Sequence, residues 1–334
     1  MDSSYDVIII GAGPAGLAVA EVLEGSTLTV LLIEKNSLLG RKVCAGGVTN
    51  FSGRYEVPLE KTVGSRNHTI FIGDKKYELT LADSIRTIGR QELSDYQTGR
   101  IGGSKNITLL KGTSAASIGP GGVVTDKGIF AYRYLVGADG SASLVRRHLG
   151  LKSALSIGLC CEVENVREGF LWYVDPRELG TSYIWEFPHR DHTNIGIYFD
   201  PRHLTVKRAR QFLLNYLEEN NQQIFPHMIR GGAINSDFRG CVFGNIFLVG
   251  DAAGLASKPS GEGISFALAS GREIGRRILD PGYEMTVLTG ILKLKKRQEK
   301  ILDIFELFPP MQNLLFRLSL TLVKKKRIRR YFKS

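Results

Sequence analysis

The sequence predicts an α/β fold in which a parallel sheet is interrupted by an inserted antiparallel sheet and followed by a helical segment. Three observations carry that prediction. Asp6-Val7-Ile8-Ile9-Ile10 is a buried-strand run that passes straight into Gly11-Ala12-Gly13-Pro14-Ala15-Gly16. A second apolar run, Thr29-Val30-Leu31-Leu32-Ile33, ends at Glu34, 23 positions past the first glycine. Far downstream, Asn245-Ile246-Phe247-Leu248-Val249 returns to the same continuous apolar character after a long stretch of alternating sequence.

A buried strand, a glycine turn, a helix start and an acidic residue at this spacing form a dinucleotide site. Gly11 allows the tight turn, Gly13 lets the backbone approach a pyrophosphate, and Gly16 brings helix and sheet together. The helix opening at Pro14 and Ala15 then offers its N-terminal amides to the anion. Glu34, with Lys35 beside it, stands where a carboxylate accepts a hydrogen bond from a ribose hydroxyl. A carboxylate is a poor neighbour for a 2'-phosphate, so the cofactor reads as FAD or NAD rather than NADP.

The remaining elements follow in order. The stretch from Gly46 to Arg54 is irregular, and His68 to Phe71 and Tyr77 to Leu81 alternate as antiparallel strands do. A helix is expected from about Arg90 to Arg100, then strands near Ile107 to Lys111 and Ala131 to Val136. Residues 156 to 199 read as several strands of a second sheet, ending at a helix from Thr205 to Asn220. After the returning apolar strand a helix runs to about Leu279, and the last fifty residues are helical apart from Pro309-Pro310. The cofactor domain is therefore discontinuous, over 1–55, 84–150 and 236–282. The substrate domain takes 56–83 and 151–235, and 283–334 forms a C-terminal helical segment.

With 334 residues, 43% hydrophobic and 23% charged, the composition is that of a globular protein with one large core or two packed domains. No uncharged apolar stretch reaches 18 residues, so no spanning helix is expected. The N-terminal apolar run is the cofactor strand and lacks the preceding basic region of a signal peptide. Cys44, Cys160, Cys161 and Cys241 show no metal-ligand spacing and no disulfide framework, which suits a reducing cytoplasm. Of the net charge of +11, seven positive charges fall within the last eleven residues, at Lys324, Lys325, Lys326, Arg327, Arg329, Arg330 and Lys333. Without them +4 remains.

Two motifs beyond the first unit extend the cofactor reading. Tyr134-Leu135-Val136-Gly137-Ala138-Asp139-Gly140-Ser141-Ala142-Ser143, followed by Val145-Arg146, places a carboxylate, a glycine turn, a hydroxyl and an arginine at a strand end. Leu248-Val249-Gly250-Asp251-Ala252-Ala253-Gly254 repeats the logic and delivers Asp251 towards a ribityl hydroxyl. Pro259-Ser260-Gly261-Glu262-Gly263-Ile264 then opens a helix whose amides can face the flavin pyrimidine. In the order GxGxxG, ADGxxSxxR, GDAAG, the chain from Tyr5 to about Leu279 resembles the FAD-dependent fold group of p-hydroxybenzoate hydroxylase. That resemblance implies a Rossmann-type, three-layer ββα FAD-binding domain, and it places Arg90, at the head of Gly89-Arg90-Gln91-Glu92-Leu93, along FAD.

Two further segments resemble the geranylgeranyl reductases of that group. Lys42-Val43-Cys44-Ala45-Gly46-Gly47-Val48 is similar to their K-x-C-G-G motif, and Tyr183-Ile184-Trp185-Glu186-Phe187-Pro188 matches their YxWxFP box. Chain length and the ADGSASLVRRHL stretch are similar to short bacterial members named electron-transfer oxidoreductases. The resemblance implies flavin contacts from Lys42, Cys44, Ala45, Gly46, Gly250, Asp251, Gly261, Gly263 and Ile264. It also implies a substrate wall from Tyr183, Trp185, Phe187, Pro188 and Gly196. Ala45 stands where the archaeal enzymes carry glycine, and Gly196-Ile197 is followed by Tyr198 where a second glycine pattern would continue. A wide Tyr198 would shorten or redirect a substrate tunnel.

Tyr183 and Trp185 alternate on one strand and so share a face, either as a pocket wall or as ordinary sheet core. Cys44 reads either as a proton donor or gate beside the flavin or as a small packing residue. His189 and His192 are expected in a charged, solvated turn. The function implied is reduction of carbon-carbon double bonds in isoprenoid lipids or prenyl quinones by hydride from reduced FAD, with ferredoxin, quinol or NAD(P)H as donor. The alternatives are a group A flavin monooxygenase or a non-catalytic electron-transfer flavoprotein. Met311-Gln312-Asn313-Leu314-Leu315-Phe316-Arg317-Leu318-Ser319-Leu320 and the basic tail suit peripheral docking on an anionic cytoplasmic membrane face; a docked core helix with a solvated tail is the alternative. No nucleic-acid recognition motif accompanies the tail.

Overall fold

A computed structural model describes residues 3–50, 57–222 and 224–324. Its first sheet is built around β1 (Ser3–Ile10), which pairs in parallel with β2 (Val30–Glu34) on one side and β9 (Gly128–Gly137) on the other. β6 (Ile107–Lys111) continues the parallel set beyond β2, and β16 (Ile246–Leu248) continues it beyond β9, with β15 (Val242–Phe243) antiparallel at the edge. Val7, Ile8 and Ile9 are wholly buried, as an apolar run without alternation requires when both faces are covered. Each such side chain stabilises by up to about 1.5–3 kcal/mol.

Helix α1 (Pro14–Leu23) packs against α6 (Ile264–Leu279), and glycine sets their distance. A Cβ on Gly271 would lie 2.3 Å from the Ala15 carbonyl oxygen, and one on Gly275 2.7 Å from Val22 Cβ. α2 (Arg90–Ile101) lies beside α1. Strands β7 (Ala115–Gly119) and β8 (Gly122–Thr125) fold back on β9, and Val123 enters the same core as β1, supplying the second β layer of the ββα arrangement. This hairpin was not expected from the sequence. Its strands are only five and four residues long and offer too few apolar positions to set a period, so pairing with β9 makes it a sheet.

The second sheet has the order β14 (Arg230–Asn235), β10 (Leu155–Val163), β13 (Thr193–Phe199), β12 (Tyr183–Pro188), β11 (Phe170–Val174), β4 (Val63–Ile72), β5 (Lys75–Thr87), β3 (Gly47–Val48). Gly47–Val48 pair with Thr87 and Arg86, so this sheet recruits residues on both sides of the 56–83 segment assigned to it from sequence. One face packs Ile184, Ile195, Ile197 and Phe199 against Ala209, Leu213 and Leu217, the apolar stripe of α4 (Val206–Glu219). The other face is aromatic.

α3 (Leu144–His148) and α5 (Gly250–Ala253) are single turns at strand ends. α7 (Thr286–Leu307) and α8 (Gln312–Lys324) are joined by a turn of 3-10 helix at Pro309–Met311, the break the paired prolines predict. Lys325 to Lys333, most of the basic tail, lie outside the described residues. No helix among the described residues is long and apolar enough to cross a membrane.

Candidate functional site

The glycine turn after β1 shows three different constraints. Gly11 has φ +102° and a Cβ there would lie 2.4 Å from the Ala138 carbonyl oxygen; a Cβ on Gly16 would lie 1.9 Å from the Gly11 carbonyl oxygen. Around Gly13 there is nothing within 4 Å of a built Cβ, so the backbone faces open space. α1 starts at Pro14 with Gly13 as its N-cap and no capping side chain, leaving first-turn amides free for an anion. Glu34 borders the same turn. Its Oε2 accepts from the Ala12 amide at 3.0 Å, and its Oε1 accepts from the Asn36 amide and side chain at 2.9 and 2.8 Å. Lys35 beside it is exposed.

The later motifs are drawn to this turn by contact. A Cβ on Gly250 would lie 3.1 Å from Ala15 Cβ, and the Gly250 amide donates to Ser270 Oγ at 3.0 Å. Lys42 Nζ donates to Asp251 Oδ2 at 2.6 Å, joining segments 209 positions apart. Gly263 is the N-cap of α6, again without a capping side chain, and its Cβ position is 3.3 Å from Asp251 Oδ1. Ile264, the next residue, is buried in the cluster that Cys44 borders. Gly40 abuts the Arg90 carbonyl, and Arg90 Nε is buried with no partner among the described residues. Asp139 Oδ2 accepts from the Leu144 amide at 2.6 Å, whereas Oδ1 is buried without a partner among the described residues, and burial raises the carboxyl's pKa. Beside it, Gly140 adopts φ +76° over open space.

Two uncapped helix N-termini, an open glycine backbone and orphaned polar atoms on Arg90 and Asp139 fit an extended flavin dinucleotide. Arg146 does not point into this site. It is 1% exposed and its guanidinium donates to the carbonyls of Lys152, Ala252 and Asp237, stitching the ADG turn to α5.

The segment after β2 lies between the two sheets. Cys44 Sγ accepts from the Gly46 amide at 3.4 Å. Ala45 O is 3.1 Å from His189 Nε2, and a Cβ on Gly46 would meet the Ile88 carbonyl at 2.5 Å and His189 Cε1 at 2.7 Å. His189 is therefore 7% exposed rather than solvated, and it stacks on His192 with ring centres 4.4 Å apart. The turn folds back through the His189 amide to His192 O at 2.8 Å, which seats the ring against the glycine loop. Burial, with help from His192, lowers its pKa and keeps it neutral.

Tyr183, Trp185 and Phe187 share one face, as their alternation predicts, with Phe170, Tyr198 and, partly buried, Trp172. Ring centres lie 4.9 Å apart for Trp172 and Phe187, 5.0 Å for Phe170 and Phe187, and 5.5 Å for Tyr183 and Tyr198. Trp185 Nε1 donates to Asn194 Oδ1 at 2.9 Å, and its indole occupies the side-chain space of Gly196, where a Cβ would lie 2.3 Å from Cζ2. The Pro188 carbonyl accepts from the Thr87 hydroxyl. Two phenols tie this face to the loop opening α6: Tyr183 OH donates to Ser260 O at 2.5 Å and Tyr198 OH to Lys258 O at 2.6 Å. Gly261 leaves room for the Tyr198 ring at 3.0 Å. Phe316 of α8 packs on the aromatic cluster and lies 4.6 Å from Phe305.

Comparison with known proteins accords with this geometry. A family model described as pyridine nucleotide-disulphide oxidoreductase matches residues 5–159. An uncharacterized protein of Methanosarcina barkeri is 31% identical over 290 residues, covering 80% of this chain and 72% of its own. A digeranylgeranylglycerophospholipid reductase of Methanosarcina acetivorans is 26% identical over 335 residues, covering 90% and 80%. The chain belongs to the geranylgeranyl reductase family of FAD-dependent oxidoreductases. A geranylgeranyl bacteriochlorophyll reductase-like protein from Thermoplasma acidophilum shares the fold with a TM-score of 0.76 at 18% identity, over 98% of this chain and 93% of that one. A probable FAD-dependent monooxygenase from Pseudomonas aeruginosa does so with 0.71 at 17%, over 97% and 100%. In this geranylgeranyl reductase family member the cofactor is a flavin.

Sequence reasoning missed the packing role of His189 and the tie between Thr49 and Glu262. Glu262 was visible within its loop, but its partner is 213 positions away.

Proposed function

We propose that this protein uses bound FAD to reduce carbon-carbon double bonds in the isoprenoid chains of lipids or prenyl quinones. One observation carries the reading: the aromatic face of β12 is hydrogen-bonded through Tyr183 to the loop that opens α6, so an apolar wall borders the flavin site. When bound and reduced, FAD supplies a hydride. The chain does the rest. Gly13, Arg90 and Asp251 hold the dinucleotide, and the uncapped amides of α6 favour the negative charge gained on reduction by about 0.3–1 kcal/mol, up to about 2 when buried. An isolated alkene has no carbonyl to polarise, so the aromatic wall contributes by aligning the chain and excluding water. The name of the Methanosarcina acetivorans relative supports this substrate class.

Anaerobic titration tests it. Enzyme reduced with dithionite is mixed with a geranylgeranyl lipid, and the flavin is expected to reoxidise in proportion to saturated product. Flavin that stays reduced beside the alkene, yet yields hydroxylated product when oxygen is admitted, would replace this reading with a monooxygenase.

The substrate also bears on location. A 20-carbon chain at about 0.8 kcal/mol per buried CH2 stays in the bilayer, so the enzyme meets it there. Ile301, Ile304 and Leu307 of α7, Phe308 and Met311 at the break, and Leu314 and Leu318 of α8 are exposed large apolar side chains, Leu307 by 72%. Such an apolar ridge beside a run of basic residues fits an anionic lipid surface. Ferredoxin, quinol and NAD(P)H remain the candidate donors.

A further inference from the structure

Reducing an alkene takes a proton as well as a hydride, and the structure assigns the proton to Glu262. The assignment rests on the reductase reading above. Glu262 directly precedes the N-cap of α6, and its Oε1 accepts from the Thr49 hydroxyl. Thr49 is in turn held to α6: its amide donates to Ser265 Oγ at 3.0 Å and its hydroxyl lies 3.4 Å from the same atom. One carboxyl and two hydroxyls thus cluster where the segment after β3 crosses the start of α6.

This cluster sits at the seam between the two halves of the site. On one side the loop is gripped by the aromatic face, through Tyr183 on Ser260 O, Tyr198 on Lys258 O, and the Tyr198 ring against Gly261. On the other side lie Gly263, Asp251 and the uncapped α6 amides that fit the flavin. An isoprenoid lying on the aromatic wall and a flavin lying on those amides meet at Glu262.

The neighbouring groups are worse placed to give a proton. Burial pushes both the Tyr183 and Tyr198 phenols well up, making them weaker acids. Lys42 is paired with Asp251, and Lys258 lies 3.4 Å from Glu306. Cys44 Sγ is turned onto its own loop. Burial of the Glu262 carboxyl raises its pKa against the opposing hydrogen bonds from Thr49 and Ser265, so it holds a proton more tightly than a solvated glutamic acid. A buried carboxyl whose proton is held more tightly than in water can act as a general acid.

In the step, one alkene carbon takes the hydride, with its two electrons, from the reduced flavin. The π bond breaks, and its electron pair takes the proton at the other carbon as the Glu262 O–H bond breaks. Water then reprotonates the carboxylate, and an external two-electron donor restores the flavin.

Glu262→Gln keeps the size of the side chain and an oxygen for Thr49, but removes the acid. In an infrared pH series on the flavin-loaded protein, a carboxylic-acid carbonyl band that E262Q lacks should persist to higher pH than that of a solvated glutamic acid. In anaerobic single turnover with dithionite-reduced enzyme and a geranylgeranyl lipid, E262Q should reoxidise on the order of 10²–10⁴-fold more slowly, with flavin content and reduction by dithionite unchanged. A wild-type band lost at the pH of a solvated glutamic acid, or an undiminished E262Q rate beside an active wild type, overturns the proton assignment alone. A wild type that leaves the flavin reduced beside the alkene overturns the reductase reading and this role with it. Should E262Q lose its flavin, Thr49→Val carries the test: a shifted acid band and a slower turnover support the assignment, and an unchanged band and rate overturn it.

Discussion

Gly11 and Gly13 stand two residues apart in one turn and should respond oppositely to a single methyl group. At Gly11, φ +102° and a carbonyl 2.4 Å from the Cβ position combine backbone strain with overlap, so Gly11→Ala should cost about 3 kcal/mol and lower Tm even without flavin. At Gly13, φ −78° and ψ −178° suit any residue and no atom lies nearby, so Gly13→Ala should leave the apoprotein unchanged or up to about 1 kcal/mol more stable. Flavin affinity of that variant should fall about tenfold or more, because the methyl fills the approach a pyrophosphate needs. Thermal melts of the two apoproteins and a flavin titration of Gly13→Ala check the pair; equal flavin affinity in Gly13→Ala and wild type would remove the pyrophosphate from this turn. These glycines were legible in the sequence because their work is local. His189, Thr49 and the Ala252 and Asp237 carbonyls that accept from Arg146 were not, since each of these partners lies many positions away and only the folded chain brings it near.

At the scale of elements, the pairing of β4 with β11 buries a histidine that should make the second sheet acid-sensitive. His68 is 2% exposed, stacks on Phe170 at 5.2 Å and accepts at Nδ1 from Trp172 Nε1 at 3.2 Å. Burial lowers its pKa from 6.5 to about 4. A histidine with a depressed folded pKa is protonated more readily when unfolded, so stability is full above about pH 6.5 and is lost as pH falls towards 4. At pH 5 the loss is about 2 kcal/mol from this group. Tm should therefore drop between pH 7 and 5, and His68→Gln should flatten that drop while lowering Tm at pH 7; a slope unchanged by the substitution would place the acid sensitivity elsewhere. The strands around it were readable as alternating sequence, and α4 as an apolar stripe. The β7–β8 hairpin was not, because strands this short hold too few apolar residues to set a period, and its place is decided by β9.

For the whole molecule, ties join the second sheet to its surroundings: Asn235 of β14 to the Asp251 carbonyl, Tyr183 to the α6 loop, and α8 laid over the aromatic face through Phe316. The exposed ridge of α7 and α8 is thus carried by the same helices that close on the proposed substrate wall, and docking it on lipid would bring that wall to the bilayer. The ridge and the basic tail contribute by different physics and can be separated. Each basic residue near an anionic surface is worth about 1 kcal/mol, so half of the seven tail charges would shift partition a few hundredfold, and salt should weaken that share. The apolar share should be indifferent to salt. A chain ending at Val323 should lose co-sedimentation with anionic vesicles chiefly at low salt. Leu307→Glu with Phe308→Glu, both at exposed positions, should lose it at every salt concentration without lowering Tm. If both proteins bind as wild type does, the ridge faces something other than lipid; and if the double variant instead abolishes self-association measured by sedimentation, a second copy of the chain is what covers it.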